Sequence, residues 1–89
     1  MLQTISITVS GKVQGVFFRQ SSRDKAIQLG LTGFVKNLPD KTVYIIATGV
    51  KEQLDELVAW CRQGPPRAQV SDVIVLPQNL QSFDRFSIR

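Results

Sequence analysis

Between residues 3 and 10 the chain alternates, with Ile5, Ile7 and Val9 on one side and Thr4, Ser6, Thr8 and Ser10 on the other. A period of two predicts a strand with one face in a core. The period then lengthens. Phe18, Ser22, Ala26 and Leu29 recur at helical spacing, and Gly30 stands where such a helix would be capped. Gly33 to Asn37 predicts a short second strand, and Leu38-Pro39-Asp40-Lys41 a turn. Thr42 to Thr48 predicts a third strand with Val43, Ile45 and Ala47 inward. The second helix has the plainest pattern: Leu54, Leu57, Val58 and Cys61 sit at i, i+3, i+4 and i+7, with Glu52 in the first turn and Arg62 in the last. Gly64-Pro65-Pro66 stops it. Val70 to Leu76 predicts a fourth strand and Phe83 to Ile88 a short fifth.

The predicted order is β-α-β-β-α-β with one strand added at the C-terminus. A hairpin keeps strands two and three antiparallel, and right-handed crossovers put both helices on the same side. The expected architecture is therefore a ferredoxin-like α+β sandwich: an antiparallel sheet, two helices on one face and a short extra C-terminal strand. Eighty-nine residues suit a single domain over 1–89, with no internal repeat or linker. The fold supports many functions and selects none.

Composition narrows the choice. Hydrophobic residues make up 43% and charged residues 20%, a globular balance. No run approaches the roughly 20 apolar residues of a membrane span. The first ten residues alternate and lack a basic n-region, so they read as a strand and not as a signal peptide; no membrane partner is expected. Cys61 is the sole cysteine, which excludes an internal disulfide and fits a cytoplasmic location. No long unguarded apolar edge stands out, so a monomer is expected. The net charge is +4, and residues 1–48 hold all of the excess, with six basic and two acidic side chains. A field of that sign favours an anionic ligand.

Absences remove most chemistries. Without histidine there is no histidine-based triad, metal–histidine site or phosphohistidine relay. Cys61 lies on the apolar stripe of the second helix, the place of a buried structural thiol. The acidic residues form no spaced metal-binding set, Asp55 and Glu56 being an outward face; no metal or cofactor is expected. Gly11 and Gly15 match neither a Walker A loop nor a dinucleotide fingerprint. What remains is a strand, a glycine loop and a helix start that carries Arg19. Gly15 can turn successive N–H groups inward as an anion nest, the helix start adds unpaired N–H groups, and the Arg19 fork suits two phosphate oxygens. The alternative is a plain surface turn ahead of a helix that happens to begin with a base. Phe18 reads as a core anchor for the loop. Asn37 ends the second strand, a common place for asparagine; if the first and second strands lie close together, it faces the same mouth as Arg19.

Gly11-Lys12-Val13-Gln14-Gly15-Val16-Phe17-Phe18-Arg19, followed by Leu29-Gly30-Leu31-Thr32-Gly33-Phe34-Val35-Lys36-Asn37, resembles the signature pair of the acylphosphatases. The likeness continues through Gly64-Pro65-Pro66-Arg67-Ala68-Gln69-Val70 to Phe86-Ser87-Ile88 and so covers nearly the whole chain. The resemblance implies a small cytosolic, metal-free hydrolase of acyl phosphates with a ferredoxin-like fold. By position, Arg19 corresponds to the family's phosphate-binding arginine, Asn37 to its water-positioning asparagine, and Gln14, Gly15, Val16, Phe17 and Phe18 to its phosphate loop. One departure is visible: Lys41 follows Asp40 where the family usually has glycine, which costs about 1 kcal/mol if that position needs positive φ.

The resemblance makes chemical sense of so sparse a site. An acyl phosphate expels a carboxylate, a base with a pKa of roughly 4, so no general acid is required. The loose phosphoryl-transfer transition state needs positioning and charge above all. On this reading the two phenylalanines hold the loop so that Arg19 meets the phosphoryl group, and inorganic phosphate or sulfate competes for it. Two alternatives stand beside it. One is a domain that binds acyl or carbamoyl phosphate in a regulatory role without much turnover. The other is an RNA-binding module of the same fold, for which Tyr44 is the only stacking candidate and the usual aromatic run is missing; no nucleic-acid partner is expected.

Overall fold

The two periods of the sequence become two layers. The computed structural model describes all 89 residues, Met1–Arg89. They form β1 (Leu2–Lys12), α1 (Phe18–Gln28), β2 (Thr32–Asn37), β3 (Val43–Val50), α2 (Lys51–Gln63), β4 (Gln69–Gln78) and β5 (Phe86–Ile88). The sheet runs β4-β1-β3-β2-β5. β1 is antiparallel to both β3 and β4, and β2 to β3, as expected. The added strand, β5, lies parallel to β2, so the complete five-stranded sheet is mixed. Ile7 and Val9 of β1, Val35 of β2 and Val43, Ile45 and Ala47 of β3 are buried on one face. Phe18 and Ala26 of α1 and Leu54, Leu57 and Cys61 of α2 close the same cluster from the helix side.

Small residues let α1 approach the sheet. Ser22 is fully buried, and its hydroxyl is satisfied by donating to Arg19 O at 3.0 Å. The helix ends at Gly30, whose φ of 73° is the left-handed cap that glycine adopts without penalty. On α2 the predicted stripe is the buried one, with Val58 half-buried beside it. Burial pushes the Cys61 thiol up to about 12, since a thiolate there would have no solvent.

The polar side of β1 is not solvent-exposed. Thr4 and Ser6 are each 2% exposed, although the alternation alone assigns them to the outer face. The reason is topological. β4 and β5 lie at opposite edges, so residues 79–85 must cross the face that carries no helices. Four inter-strand steps of about 4.8 Å make roughly 19 Å, and seven residues reach at most about 24 Å, so the crossing is nearly taut. It is held by Gln81, whose N–H donates to Thr4 Oγ1 at 2.9 Å and whose carbonyl accepts from Thr48 Oγ1 at 2.8 Å. Thr4 and Thr48 share a further hydroxyl hydrogen bond of 2.7 Å, and Gln78 Nε2 donates to Ser6 Oγ at 3.0 Å. The crossing also shortens the fifth strand: Phe83 does not pair but packs edge-on against Phe34, 6.0 Å between ring centres.

One premise of the monomer expectation changes. β4 is a ten-residue edge strand, and its outer-face residues Ile74 and Leu76 are 48% and 53% exposed. Pro77 removes one donor from that edge, and a register shift at Ser10/Gly11 bends its pairing with β1.

Lys41 adopts φ 73°, the conformation in which a side chain is strained. Lys41→Gly relieves about 1–2 kcal/mol of that strain and gives back about 0.5–1 in unfolded-chain entropy. A net gain of about 0.5 kcal/mol is expected, read as a melting temperature higher by roughly 2–4 °C. The raised Cys61 pKa also has a sign. Above about pH 9 the unfolded thiol ionises and the folded one does not, so stability falls as pH rises through that range. At pH 8, Ellman's reagent is expected to leave the folded protein unlabelled and to titrate one thiol after denaturation.

Candidate active site

β1 and β2 both run antiparallel to β3, so they are parallel to each other and their C-terminal ends emerge on the same side of the sheet. Val43 of β3 faces Val9 of β1 and Asn37 of β2 in one row. The two strands are not neighbours. The row is nonetheless only two inter-strand steps wide, about 10 Å, and α1 starts above it.

The connection from β1 to α1 alternates between anchor and display. Val13, Val16 and Phe18 are 1%, 2% and 1% exposed, and Phe18 packs edge-on against Trp60 of α2, 5.3 Å between ring centres. Gly15 and Phe17 between them face outward, both left-handed, with φ of 73° and 65°. Left-handed residues on either side of a buried valine turn the intervening N–H groups to a common side, the geometry of an anion nest. At Phe17 that conformation is strained. The first helical hydrogen bond runs from Ser21 N–H to Phe17 O at 3.0 Å. As a result, the seven N–H groups from Gln14 to Gln20 donate to no acceptor in the protein.

Five of the seven residues that carry them, Gly15 and Phe17 to Gln20, line a cavity of about 410 Å³, within the roughly 300–1,000 Å³ of small-molecule clefts. Its lining includes Gly15, Phe17, Phe18, Arg19 and Asn37, so most of the predicted residues do meet there. Arg19 takes part in neither of the two ion pairs of the protein. Asn37 is on the helix-facing side of β2, and its Oδ1 is buried without a hydrogen-bond partner. An amide oxygen in that condition costs about 1–3 kcal/mol unless a ligand or water supplies a donor. The cavity wall contains no carboxylate.

One expectation changes, the role of Phe17, and two side chains of the loop point elsewhere. Val16 has its side chain in the core, which leaves its backbone for the loop. Phe17 does not pin the loop: it is 63% exposed on the cavity rim, and Phe18 alone does the anchoring. Gln14 turns its side chain away from the cavity. Its Nε2 donates to Leu38 O at 3.0 Å and to Thr42 O at 2.9 Å, which ties the loop to the turn that follows Asn37. Leu38 N–H donates to the same Thr42 O, and Lys41 N–H to the same Leu38 O, so the glutamine amide completes the hairpin's own hydrogen bonds. Asp40 closes the turn by accepting from Thr42 Oγ1 at 2.6 Å and Thr42 N–H at 3.1 Å. The hydroxyl first, then the N–H, holds the Asp40 carboxyl below its usual range. Arg23 and Ile88 also line the cavity and were not singled out from the sequence. For Arg23 a signal existed, because it is one helical turn beyond Arg19.

A sequence model of the family described as acylphosphatase matches residues 5–88. The chain belongs to the acylphosphatase family. An acylphosphatase of Acaryochloris marina is 49% identical over 84 residues, covering 94% of this chain and 90% of that protein. Among solved structures, an acylphosphatase from Coxiella burnetii superposes with a TM-score of 0.96 at 44% identity, covering 99% of this chain and 93% of that one. The acylphosphatase from Bacillus subtilis superposes at 0.94 with 38% identity, covering 100% and 99%. The reaction is the hydrolysis of the carboxyl–phosphate bond of a small-molecule acyl phosphate, giving a carboxylate and inorganic phosphate.

Gln14→Ala removes both donors of the tether between the loop and the hairpin. It is expected to lower stability in urea by about 1–2 kcal/mol. Hydrogen exchange should speed up at the Leu38 and Lys41 N–H groups, which share their acceptors with Gln14.

Proposed function

We propose that the acylphosphatase reaction here is metal-independent and divided between two side chains. The phosphoryl group of the substrate sits in the nest, where the N–H groups of residues 14–20 and the Arg19 guanidinium take its oxygens. Donors fixed before the substrate arrives need no reorganisation as charge redistributes in the transition state. Asn37 Oδ1 accepts a hydrogen bond from the attacking water and points the water's lone pair at phosphorus. The water oxygen forms the new bond to phosphorus as the bond to the acyl oxygen breaks. The electron pair leaves on the carboxylate, and the water's proton passes to a phosphate oxygen or to solvent. No protein group has to titrate, which suits a site whose wall holds no carboxylate and a chain without histidine. The observation that carries this reading is the buried, unpartnered Asn37 Oδ1, on a residue that lines the same cavity as five residues with free N–H groups.

The rest of the reading follows from what the nest recognises. Inorganic phosphate and sulfate share its tetrahedral anion and compete with substrate. The 89 residues act as one domain, as a monomer, in the cytoplasm.

Benzoyl phosphate hydrolysis is expected to survive EDTA, with phosphate as a competitive inhibitor and little action on phosphate monoesters, whose alkoxides leave poorly. Arg19→Gln should weaken phosphate binding and turnover together, by about ten-fold or more each for a lost charge-assisted contact; Arg19→Lys lacks the two-pronged grip and should not restore them. Asn37→Ala should lower kcat by about 10²–10³ while the phosphate inhibition constant stays within about three-fold, because its contact is made to the attacking water. Inhibition assays with circular dichroism measure both. Loss of activity on chelation, or equal loss of phosphate affinity in the two variants, overturns the assignment.

A further inference from the structure

The cavity holds a second guanidinium that the hydrolysis does not use. Arg23 is four residues after Arg19 on α1, so the two stand on one helix face with Cβ atoms about 5–6 Å apart. Side chains lean toward the N-terminus of their helix, which directs Arg23 back toward the nest, and both line the same space. That wall carries two positive side chains and no acid. A helix would not choose this arrangement for its own sake. Like charges at i and i+4 repel, and α1 has no acidic residue in its first turn to offset cations near the positive end of its dipole. The only partner of Arg23 is Asp24, which is 66% exposed. Its Nε and one terminal nitrogen both reach a single oxygen, Oδ1, at 3.2 Å, not the two-oxygen grip that makes such pairs strong. An exposed pair of this kind yields readily to a better anion.

Resting on the reading that Arg19 and the nest hold the phosphoryl group, we propose that Arg23 forms a second anion subsite and that the enzyme prefers acyl phosphates whose acyl part carries a second negative charge. The charge is a carboxylate or phosphate set a short chain beyond the carbonyl, where a guanidinium one helical turn from Arg19 can meet it. Arg23 binds a part of the substrate that does not react, so its effect falls mainly on KM.

The test compares 4-carboxybenzoyl phosphate with benzoyl phosphate in the full chain. Arg23→Gln is expected to lower kcat/KM for the carboxylated substrate about ten-fold more than for the plain one, the size of a single exposed charge-assisted contact. Asp24→Asn frees Arg23 and should raise the preference for the carboxylated substrate, and 0.5 M salt should erode it. A preference that Arg23→Gln changes by less than two-fold, or that Asp24→Asn lowers, overturns the subsite while leaving the hydrolytic reading intact. If the unaltered enzyme fails to hydrolyse benzoyl phosphate at all, both readings fall. A plain-substrate rate that drops as far as the carboxylated one makes Arg23 part of the phosphoryl grip and also overturns the proposal.

Discussion

Seven consecutive backbone N–H groups without acceptors form an unstable arrangement unless something outside the loop fixes it, and here the fixing is hydrophobic. Val13, Val16 and Phe18 are locked in the core, and the backbone between them has no freedom to turn its donors back on itself. The left-handed conformations at Gly15 and Phe17 are the local cost of that arrangement. Burying three large side chains, at about 1.5–3 kcal/mol each, is enough to hold a strained residue costing about 1–3 kcal/mol. The core thus holds a run of free backbone donors, and their positive potential, in one place.

The second half of the site depends on the first through Gln14. A side chain that belongs to the anion loop in sequence belongs to the Asn37 hairpin in space, because its amide completes two carbonyls of the Leu38–Thr42 turn. Two hydrogen bonds therefore tie the loop to the hairpin. This is also why a strained Lys41 is tolerated in the turn: Asp40, Leu38 and Gln14 together supply its backbone neighbours with hydrogen bonds from three directions.

The elements were legible where their signal is local. The stripe on α2, the alternation of β1 and the glycine after α1 each lie within a dozen residues, and each appears close to its predicted bounds. That Arg19 and Asn37 would face one mouth was legible because two motifs carry them, and both line the same cavity. The misreadings share a different cause. Thr4 and Ser6 are polar and alternate correctly, yet they are buried by a segment more than 70 residues away in the chain. The two Gln14 contacts span 24 and 28 residues, so no window of sequence contains them. Phe17 was mistaken for an anchor because two adjacent phenylalanines look alike, whereas only the backbone angle at 17 decides which one reaches the core. Arg23 was within reach through simple helical spacing from Arg19.

The taut crossing of residues 79–85 has a consequence for how the molecule comes together in time. β1 is paired with β4 at Thr4↔Gln78 and with β3 at Leu2↔Val50, so the first strand can be seated only after most of the chain has been synthesised and brought back. Contacts between residues this far apart in sequence demand loop closure before they return any stabilisation, and such topologies fold slowly compared with local ones. The segment that carries the glycine loop is an early stretch of the chain, but the sheet it hangs from is completed by late ones. A chain part-way to its native state therefore has the sequence of the loop without its shape, and the cavity is completed late in folding.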